Sequence, residues 1–184
     1  MQKQCWLFLI LAAGGLVGCN AHEASPAQQT KATVPAGEIG SRLPEFSLTD
    51  LQGRPLSSSE LRGKVVLVDF WATWCQPCKK EMPGYQKLED RYGSRGLAVI
   101  GFKFETMPDM QDPLQFAEGI GVRYPLAVAT EDLKRKFGGI EGLPTTMLYD
   151  RNGILRWKIV GFVYTDTVES ALKPLLSVGG NHHG

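Results

Sequence analysis

The chain has 184 residues, of which 20 are basic, 19 are acidic and 43% are hydrophobic. This length and apolar content are enough for one well-filled hydrophobic core. Lys3 is the only charged residue among the first eighteen, so the remainder of the chain is formally neutral. The composition therefore gives no reason to expect binding to nucleic acid or to an acidic membrane surface.

The first eighteen residues have the pattern of a targeting segment. Lys3 supplies a positive charge, and the apolar stretch from Trp6 to Val17 is shorter than the ~20 residues that a membrane-spanning helix needs. Residues 16–19, Leu-Val-Gly-Cys, resemble the bacterial lipobox, which implies cleavage before Cys19 and a lipid on its sulfur. The lipid would anchor the protein to a membrane without a transmembrane span. The alternative is an ordinary secretory signal with a chance cysteine.

Three further regions are predicted after this segment. Residues 19–37 are polar and rich in Ala, Gln, Thr and Pro, which predicts a flexible tether. Residues 38–178 are predicted to form the folded domain. Residues 179–184 are predicted to be a disordered tail. Its histidines, His182 and His183, have no ligand spacing with the cysteines downstream of the tether, so no metal site is predicted.

Within the domain, apolar periodicity and turn residues predict an alternation of strands and helices. The predicted elements are a β-hairpin near 45–56, a helical turn at Ser58–Leu61, a strand at 64–70, a helix from near Gln76 to about 92, a strand at Leu97–Phe102, a helix at Pro113–Gly119, a strand at Leu126–Ala129, a helix at Glu131–Phe137, a hairpin of Thr145–Tyr149 with Ile154–Val160, and a last helix from near Asp166. This order predicts an α/β sandwich with a central mixed sheet flanked by helices.

The most informative stretch is Trp74-Cys75-Gln76-Pro77-Cys78, in which two cysteines lie three positions apart. A strand precedes it and a helix follows. Cys75 is therefore predicted at a helix N-terminus, where unpaired N–H groups and the helix dipole stabilise a thiolate. Cys78 lies one turn further on, in the buried stripe. This asymmetry suits thiol-disulfide exchange, in which Cys75 attacks a partner disulfide and Cys78 resolves the mixed disulfide.

Three segments carry a family resemblance. Residues 68–83, VDFWATWCQPCKKEMP, look like the active-site stretch of the thioredoxin superfamily, in particular of its extracytoplasmic TlpA- and ResA-like branch. Residues 142–146, GLPTT, resemble the family's cis-proline loop, and residues 40–50 resemble the N-terminal hairpin segment that this branch shares with peroxiredoxins. The resemblance covers about residues 38–178 and implies a thioredoxin-like fold with a central insertion near 103–121.

The resemblance also implies partners. In the family, the cis-proline packs against the disulfide, and the residue before it offers its backbone to substrate polypeptide. The residues expected to contact substrate are Trp74, Gln76, Pro77, Leu143 and Pro144. The implied substrates are protein disulfides or dithiols, such as apocytochrome c or copper-site assembly proteins of respiratory oxidases, and no cofactor is implied. The electron donor in this branch is usually a membrane thiol-disulfide transporter of the CcdA or DsbD type.

Two acidic residues are candidate proton carriers for the cysteines. Asp69 interrupts a buried apolar strand, so a raised pKa is expected, and our hypothesis is that it takes the proton of Cys78. Thioredoxin has aspartate at the matching position, whereas TlpA- and ResA-like members usually carry asparagine. Glu81 matches a glutamate that tunes the cysteine pair in ResA-like proteins. The alternatives are an Asp69 bonded only to nearby backbone and a solvated Glu81.

Three other functions would use the same cysteines. A peroxidase of the peroxiredoxin type would need the pattern Pro-x-x-x-Thr-x-x-Cys, but Ala72 stands three residues before Cys75. A copper-handling protein would use both cysteines as soft ligands, but the sequence does not clearly place a His or Met nearby. In a non-enzymatic surface lipoprotein the disulfide would only brace the fold. The sequence favours a lipid-anchored thiol-disulfide oxidoreductase outside the cytoplasm, and the resemblance to ResA- and TlpA-like proteins implies that it reduces protein disulfides.

Overall fold

A computed structural model describes residues 35–104 and 111–177. The predicted signal peptide and tail, the lipidation site Cys19 and residues 105–110 of the predicted insertion lie outside these described residues. Gly37, at the end of the predicted tether, is buried. Packing against the domain therefore begins before residue 38.

The described residues form a small hairpin and a larger mixed sheet with helices on both faces. In chain order, the elements are β1 (Ser47–Thr49), β2 (Pro55–Ser57), β3 (Val65–Trp71), α1 (Gln76–Tyr92), β4 (Leu97–Phe104), α2 (Pro113–Gly119), β5 (Leu126–Ala129), α3 (Glu131–Lys136), β6 (Thr145–Tyr149), β7 (Leu155–Val160) and α4 (Thr165–Ser177), with 3-10 turns at Ser58–Leu61 and Gly93–Arg95. The predicted bounds agree with these to within two residues.

The sheet topology confirms the predicted fold class. β1 and β2 pair as an antiparallel hairpin. The five other described strands form one sheet in the order β5-β4-β3-β6-β7. β3, β4 and β5 are parallel, whereas β6 runs antiparallel to both β3 and β7. A mixed sheet flanked by helices and preceded by a hairpin is the thioredoxin-like arrangement that the sequence predicted.

β3 is the central strand, and all of its residues are buried. A strand covered on both faces needs apolar side chains on both, which explains its run of Val, Leu, Phe and Trp. Leu67 and Trp71 pack with α1 and α4, whereas Val68 and Phe70 pack on the opposite face with α3. Asp69 is the one charged residue of this strand. Because side chains alternate between the two faces of a strand, Asp69 points to the same face as Leu67 and Trp71, which is the face that α1 covers.

Residues 72–75, which we call the cysteine loop, connect β3 to α1. α1 packs its apolar stripe on the sheet. It lies very close to the start of α4, because a Cβ atom added to Gly84 would be 2.0 Å from Oγ1 of Thr165. This close approach brings the segment between β7 and α4 against the second turn of α1. Within the part of the chain that the structure describes, no helix is long and apolar enough to cross a membrane.

The described part of the predicted insertion is α2, which packs beside the carboxyl end of β3. The ring of Phe116 stacks on Trp71, with ring centroids 5.5 Å apart and an interplanar angle of 13°. The Lys79 ammonium lies 5.0 Å from the Phe116 ring centroid. α2 therefore covers the indole that precedes the cysteine loop.

Candidate active site

Cys75 and Cys78 form a disulfide at the start of α1, with their Cα atoms 5.3 Å apart. Cys75 is the N-cap residue of α1, and its sulfur accepts a hydrogen bond from the backbone N–H of Cys78 at 3.3 Å. Cys78 is fully buried, whereas Cys75 keeps 4% of its surface exposed. The intervening Gln76 and Pro77 are exposed. The sulfur of Cys75 thus lies where first-turn N–H groups stabilise negative charge.

The cis-proline loop lies at the same end of the sheet as this pair, because Thr145, which follows Pro144, pairs with Phe70 near the end of β3. The Leu143–Pro144 peptide bond is cis. Leu143 packs against the core cluster that contains both cysteines. The Pro144 carbonyl accepts a hydrogen bond from the N–H of Gly161 at 2.8 Å. The structure therefore brings together the cysteine loop, the cis-proline loop and the segment that follows β7.

That segment, residues 160–164, carries exposed apolar side chains, and we call it the aromatic loop. Phe162 is 43% exposed and Tyr164 is 73% exposed. Their rings meet edge to face, with centroids 5.0 Å apart. Trp74, which is 41% exposed, adds a further aromatic surface next to Cys75. No role was predicted for this loop from the sequence, although the apolar residues that continue beyond the end of the last predicted strand could have indicated it.

Glu81 is buried between α1 and the aromatic loop, with 1% of its surface exposed. One carboxyl oxygen accepts a hydrogen bond from the backbone N–H of Val163, and the other accepts one from the Tyr85 hydroxyl at 3.3 Å. Burial raises the pKa of Glu81 to about 7, and the two hydrogen bonds oppose this shift. Glu81 is therefore not a solvated helix charge and can change protonation near neutral pH.

Asp69 is fully buried on β3. In the described ranges, neither of its carboxyl oxygens has a hydrogen-bond partner. Burial, and then the nearby Glu81 charge, hold the pKa of Asp69 well above its ordinary value, while the Tyr124 hydroxyl acts in the opposite direction. The alternative of an aspartate satisfied by neighbouring backbone does not describe this geometry.

Tyr85 and Thr146 lie next to these two acids, and no role was predicted for either of them from the sequence. The Tyr85 hydroxyl lies 2.8 Å from Oγ1 of Thr146. Thr146 is in turn the cross-strand partner of Asp69 between β6 and β3. A signal for Tyr85 was present in the sequence, because a buried tyrosine hydroxyl needs a partner and its spacing of four places it on the same helix face as Glu81.

Away from the cysteines, the described residues line a cavity but contain no group of side chains that could hold a metal ion. Within residues 35–104 and 111–177, no group of three or more His, Cys, Asp or Glu side chains could hold a metal ion. A cavity of about 370 Å³ lies at the amino-terminal end of β3, where Arg62, Val66 and Arg151 are among its lining residues. This cavity shares no lining residue with the disulfide site.

Known proteins resemble the chain in both sequence and structure. The model of the AhpC/TSA family matches residues 39–158. The thiol-disulfide oxidoreductase ResA of Bacillus thuringiensis (strain Al Hakam) is 32% identical over 182 residues, which cover 95% of this chain and 99% of the relative. ResA of Geobacillus thermodenitrificans (strain NG80-2) is 33% identical over 138 residues, 74% of this chain and 78% of the relative. The crystal structure of a thiol:disulfide interchange protein of the thioredoxin family from Chlorobium tepidum TLS has a TM-score of 0.69 and 32% identity, covering 77% of this chain and 99% of that one.

Proposed function

The chain belongs to the AhpC/TSA family and is a thioredoxin-like thiol-disulfide oxidoreductase of the ResA type, and on this premise we propose that it reduces disulfides of proteins outside the cytoplasm. The observation that supports this most directly is the asymmetry of the cysteine pair. Cys75 keeps 4% of its surface exposed at a helix N-terminus, whereas Cys78 is fully buried one turn further along the helix. An attacking thiolate and a protected resolving thiol are the two parts that exchange requires.

Exchange would proceed in two steps. The Cys75 thiolate attacks one sulfur of the client disulfide, and the other client sulfur leaves as a thiolate and takes up a proton. Cys78 then gives its proton to a buried carboxylate and attacks the Cys75 sulfur. This forms the Cys75–Cys78 disulfide and releases the second client sulfur, which is protonated in turn. Two electrons pass from the cysteine pair to the client.

The proton from Cys78 would go to the carboxyl pair of Asp69 and Glu81. Both carboxyl groups are buried, and the pKa of each is raised. Glu81 accepts two hydrogen bonds, whereas Asp69 makes no direct hydrogen bond in the described ranges and has the Tyr124 hydroxyl nearby, so the charged form of Asp69 is the less stabilised of the two. Glu81 is therefore the member that ionises first, and we assign it as the acceptor near neutral pH, with Asp69 acting at higher pH.

The client surface in this proposal combines three parts of the chain. Trp74, Gln76 and Pro77 border the reactive sulfur, and the backbone of Leu143 before Pro144 would bind an extended client segment. The aromatic loop adjoins this region through the Gly161 to Pro144 hydrogen bond. Exposed aromatic side chains favour apolar partners. We therefore expect clients with apolar residues next to the reactive cysteine.

The reduction potential of the Cys75–Cys78 pair tests the direction of the reaction. We expect a value near that of thioredoxin, about −270 mV. The measurement equilibrates the protein in thiol buffers of defined potential and traps free thiols by alkylation. A value near about −120 mV would instead make the protein an oxidant, and a bond below about −300 mV that exchanges with no client would support a purely structural disulfide.

The proposed location rests on the sequence of the first nineteen residues. A lipid on Cys19 would hold the domain at the membrane, within reach of a thiol-disulfide transporter of the CcdA or DsbD type as electron donor. We expect radioactive palmitate to label the protein in growing cells and Cys19→Ala to abolish the label. Labelling that persists in Cys19→Ala, or its absence from the unaltered protein, would contradict lipid anchoring.

A further inference from the structure

The Tyr85 hydroxyl lies between the two buried acids. It is 3.3 Å from Oε2 of Glu81 and 2.8 Å from Oγ1 of Thr146. Thr146 stands directly opposite Asp69 in the β3–β6 ladder. Tyr85 itself has no exposed surface. Its hydroxyl therefore links the acid on the helix to the strand position beside the other acid, out of contact with solvent.

A tyrosine hydroxyl has one proton to donate and can also accept a hydrogen bond. When it donates to Glu81, it stabilises the ionised carboxylate, and the Thr146 hydroxyl is the alternative acceptor that competes for the same proton. Glu81 also accepts a hydrogen bond from the Val163 N–H, whereas Asp69 makes no direct hydrogen bond in the described ranges and has the Tyr124 hydroxyl nearby. Each donor to a buried carboxylate stabilises its charged form, so the Tyr85 hydroxyl makes the two acids more unequal.

We propose that Tyr85 is a positioning residue that keeps Glu81, rather than Asp69, as the ionised member of the buried pair, and so as the acceptor of the Cys78 proton. The inference rests on the proposed exchange reaction and adds to it a residue that acts through Glu81. Tyr85 touches neither sulfur in this account. It determines which carboxyl group is ready when Cys78 has to lose its proton.

The groups that face this pair come from every element packed against it. They are Tyr85 on α1, Tyr124 before β5, Thr146 on β6 and the Val163 N–H before α4. Glu89 on α1 acts on Tyr124, and Lys103 is buried on β4 on the same face of the sheet as Asp69. Burial raises the pKa of Tyr85 and of Tyr124, so both phenols stay neutral across the physiological range. The pKa of Glu89 is also raised by burial to about 7, so this residue needs its own control.

The test is the pH dependence of a single turnover. The reduced protein is mixed with oxidised glutathione between pH 5 and 9.5, and tryptophan fluorescence follows formation of the Cys75–Cys78 disulfide. For the unaltered protein we expect a rate limb with a midpoint near 7, the pKa of Glu81. Glu81→Gln should remove this limb. Tyr85→Phe should move its midpoint upward by about 1 pH unit, because a donor to the charged form is lost.

The double variant distinguishes positioning from packing. If Tyr85 acts through Glu81, Tyr85→Phe has no further effect on the profile in the Glu81→Gln protein. Thr146→Val removes the hydroxyl that competes with Glu81 for the Tyr85 proton. In this variant the midpoint of the rate limb should stay in place or move downward. This opposite sign keeps the proposal testable even where Tyr85→Phe folds poorly. Tyr149→Phe is the matched control, since its hydroxyl contacts Met147 and neither acid.

Four results would overturn the inference. Three of them are an unchanged midpoint in Tyr85→Phe, an equal Tyr85→Phe effect with and without Glu81, and an upward shift in Thr146→Val. Loss of the same limb in Glu89→Gln would assign it to that residue and would also overturn the inference. A wild-type protein that fails to react with oxidised glutathione at any pH would refute the exchange function itself, which is a different and separately visible outcome.

Discussion

Cys78→Ser is expected to stop turnover of a protein disulfide while leaving the first step of exchange intact. Cys75 still attacks, but nothing then displaces it from the mixed disulfide. The turnover rate should fall by on the order of 10³-fold or more, because losing one member of a group that acts as a unit costs about as much as losing the group. Release of reduced insulin by the pre-reduced protein, with no other thiol present, measures the rate.

Cys75→Ser is the matched control for this variant. It should lose turnover to the same extent, but it should form no mixed disulfide, because the buried Cys78 cannot reach a client. In cells, Cys78→Ser should accumulate mixed disulfides. They should appear on gels as bands of higher mass that disappear when a reducing agent is added. Clients trapped in this way should carry apolar side chains next to the bonded cysteine, matching the aromatic loop. Equal trapping by both variants would contradict the assigned order of attack.

The cysteine loop could be predicted because its determinants are local. A β-branched apolar run predicts β3, and a cysteine directly before an apolar helical stripe predicts the N-cap position. The bounds of α1, from Gln76 to Tyr92, agree with the pattern for the same reason. Family resemblance added the cis bond at Pro144, which periodicity alone does not predict.

The surroundings of Glu81 could not be predicted in the same way. Glu81 lies at the edge of the apolar stripe, and a residue at that position is buried only if another segment covers it. The cover comes from Val163, 82 positions away in sequence, and the close approach of Gly84 to Thr165 brings that segment into place. Helical periodicity carries no information about such a distant contact.

The link between the two acids has the same origin. Tyr85 and Thr146 are 61 positions apart, and the sheet register rather than any local pattern places Thr146 opposite Asp69. A buried aspartate could be predicted from its strand, but the absence of a direct hydrogen bond to it in the described ranges depends on every neighbouring element. The position of the cysteines was therefore predictable, whereas the surroundings of the two acids were not.

Glu81→Gln is expected to raise the free energy of unfolding above neutral pH and to leave it nearly unchanged near pH 4. In the folded protein the pKa of Glu81 is about 7, against an ordinary value of 4.5, so the folded state binds the proton more tightly than the unfolded state does. Stability is therefore lost as pH rises through this window. At 1.36 kcal/mol per pKa unit, the loss amounts to about 3 kcal/mol, and glutamine, which cannot ionise, avoids it.

Urea unfolding of the disulfide form at pH 4 and pH 8 measures this difference. The gap in free energy between Glu81→Gln and the unaltered protein should open from near zero to about 3 kcal/mol. Glu169→Gln is the control with the opposite sign, since the Tyr92 hydroxyl and Arg91 hold the pKa of Glu169 below its ordinary value. Losing that carboxylate should lower stability at pH 8 and have little effect in acid. Parallel pH curves for Glu81→Gln and the unaltered protein would mean that Glu81 does not carry a displaced proton, and its assignment as the acceptor for Cys78 would fail with it.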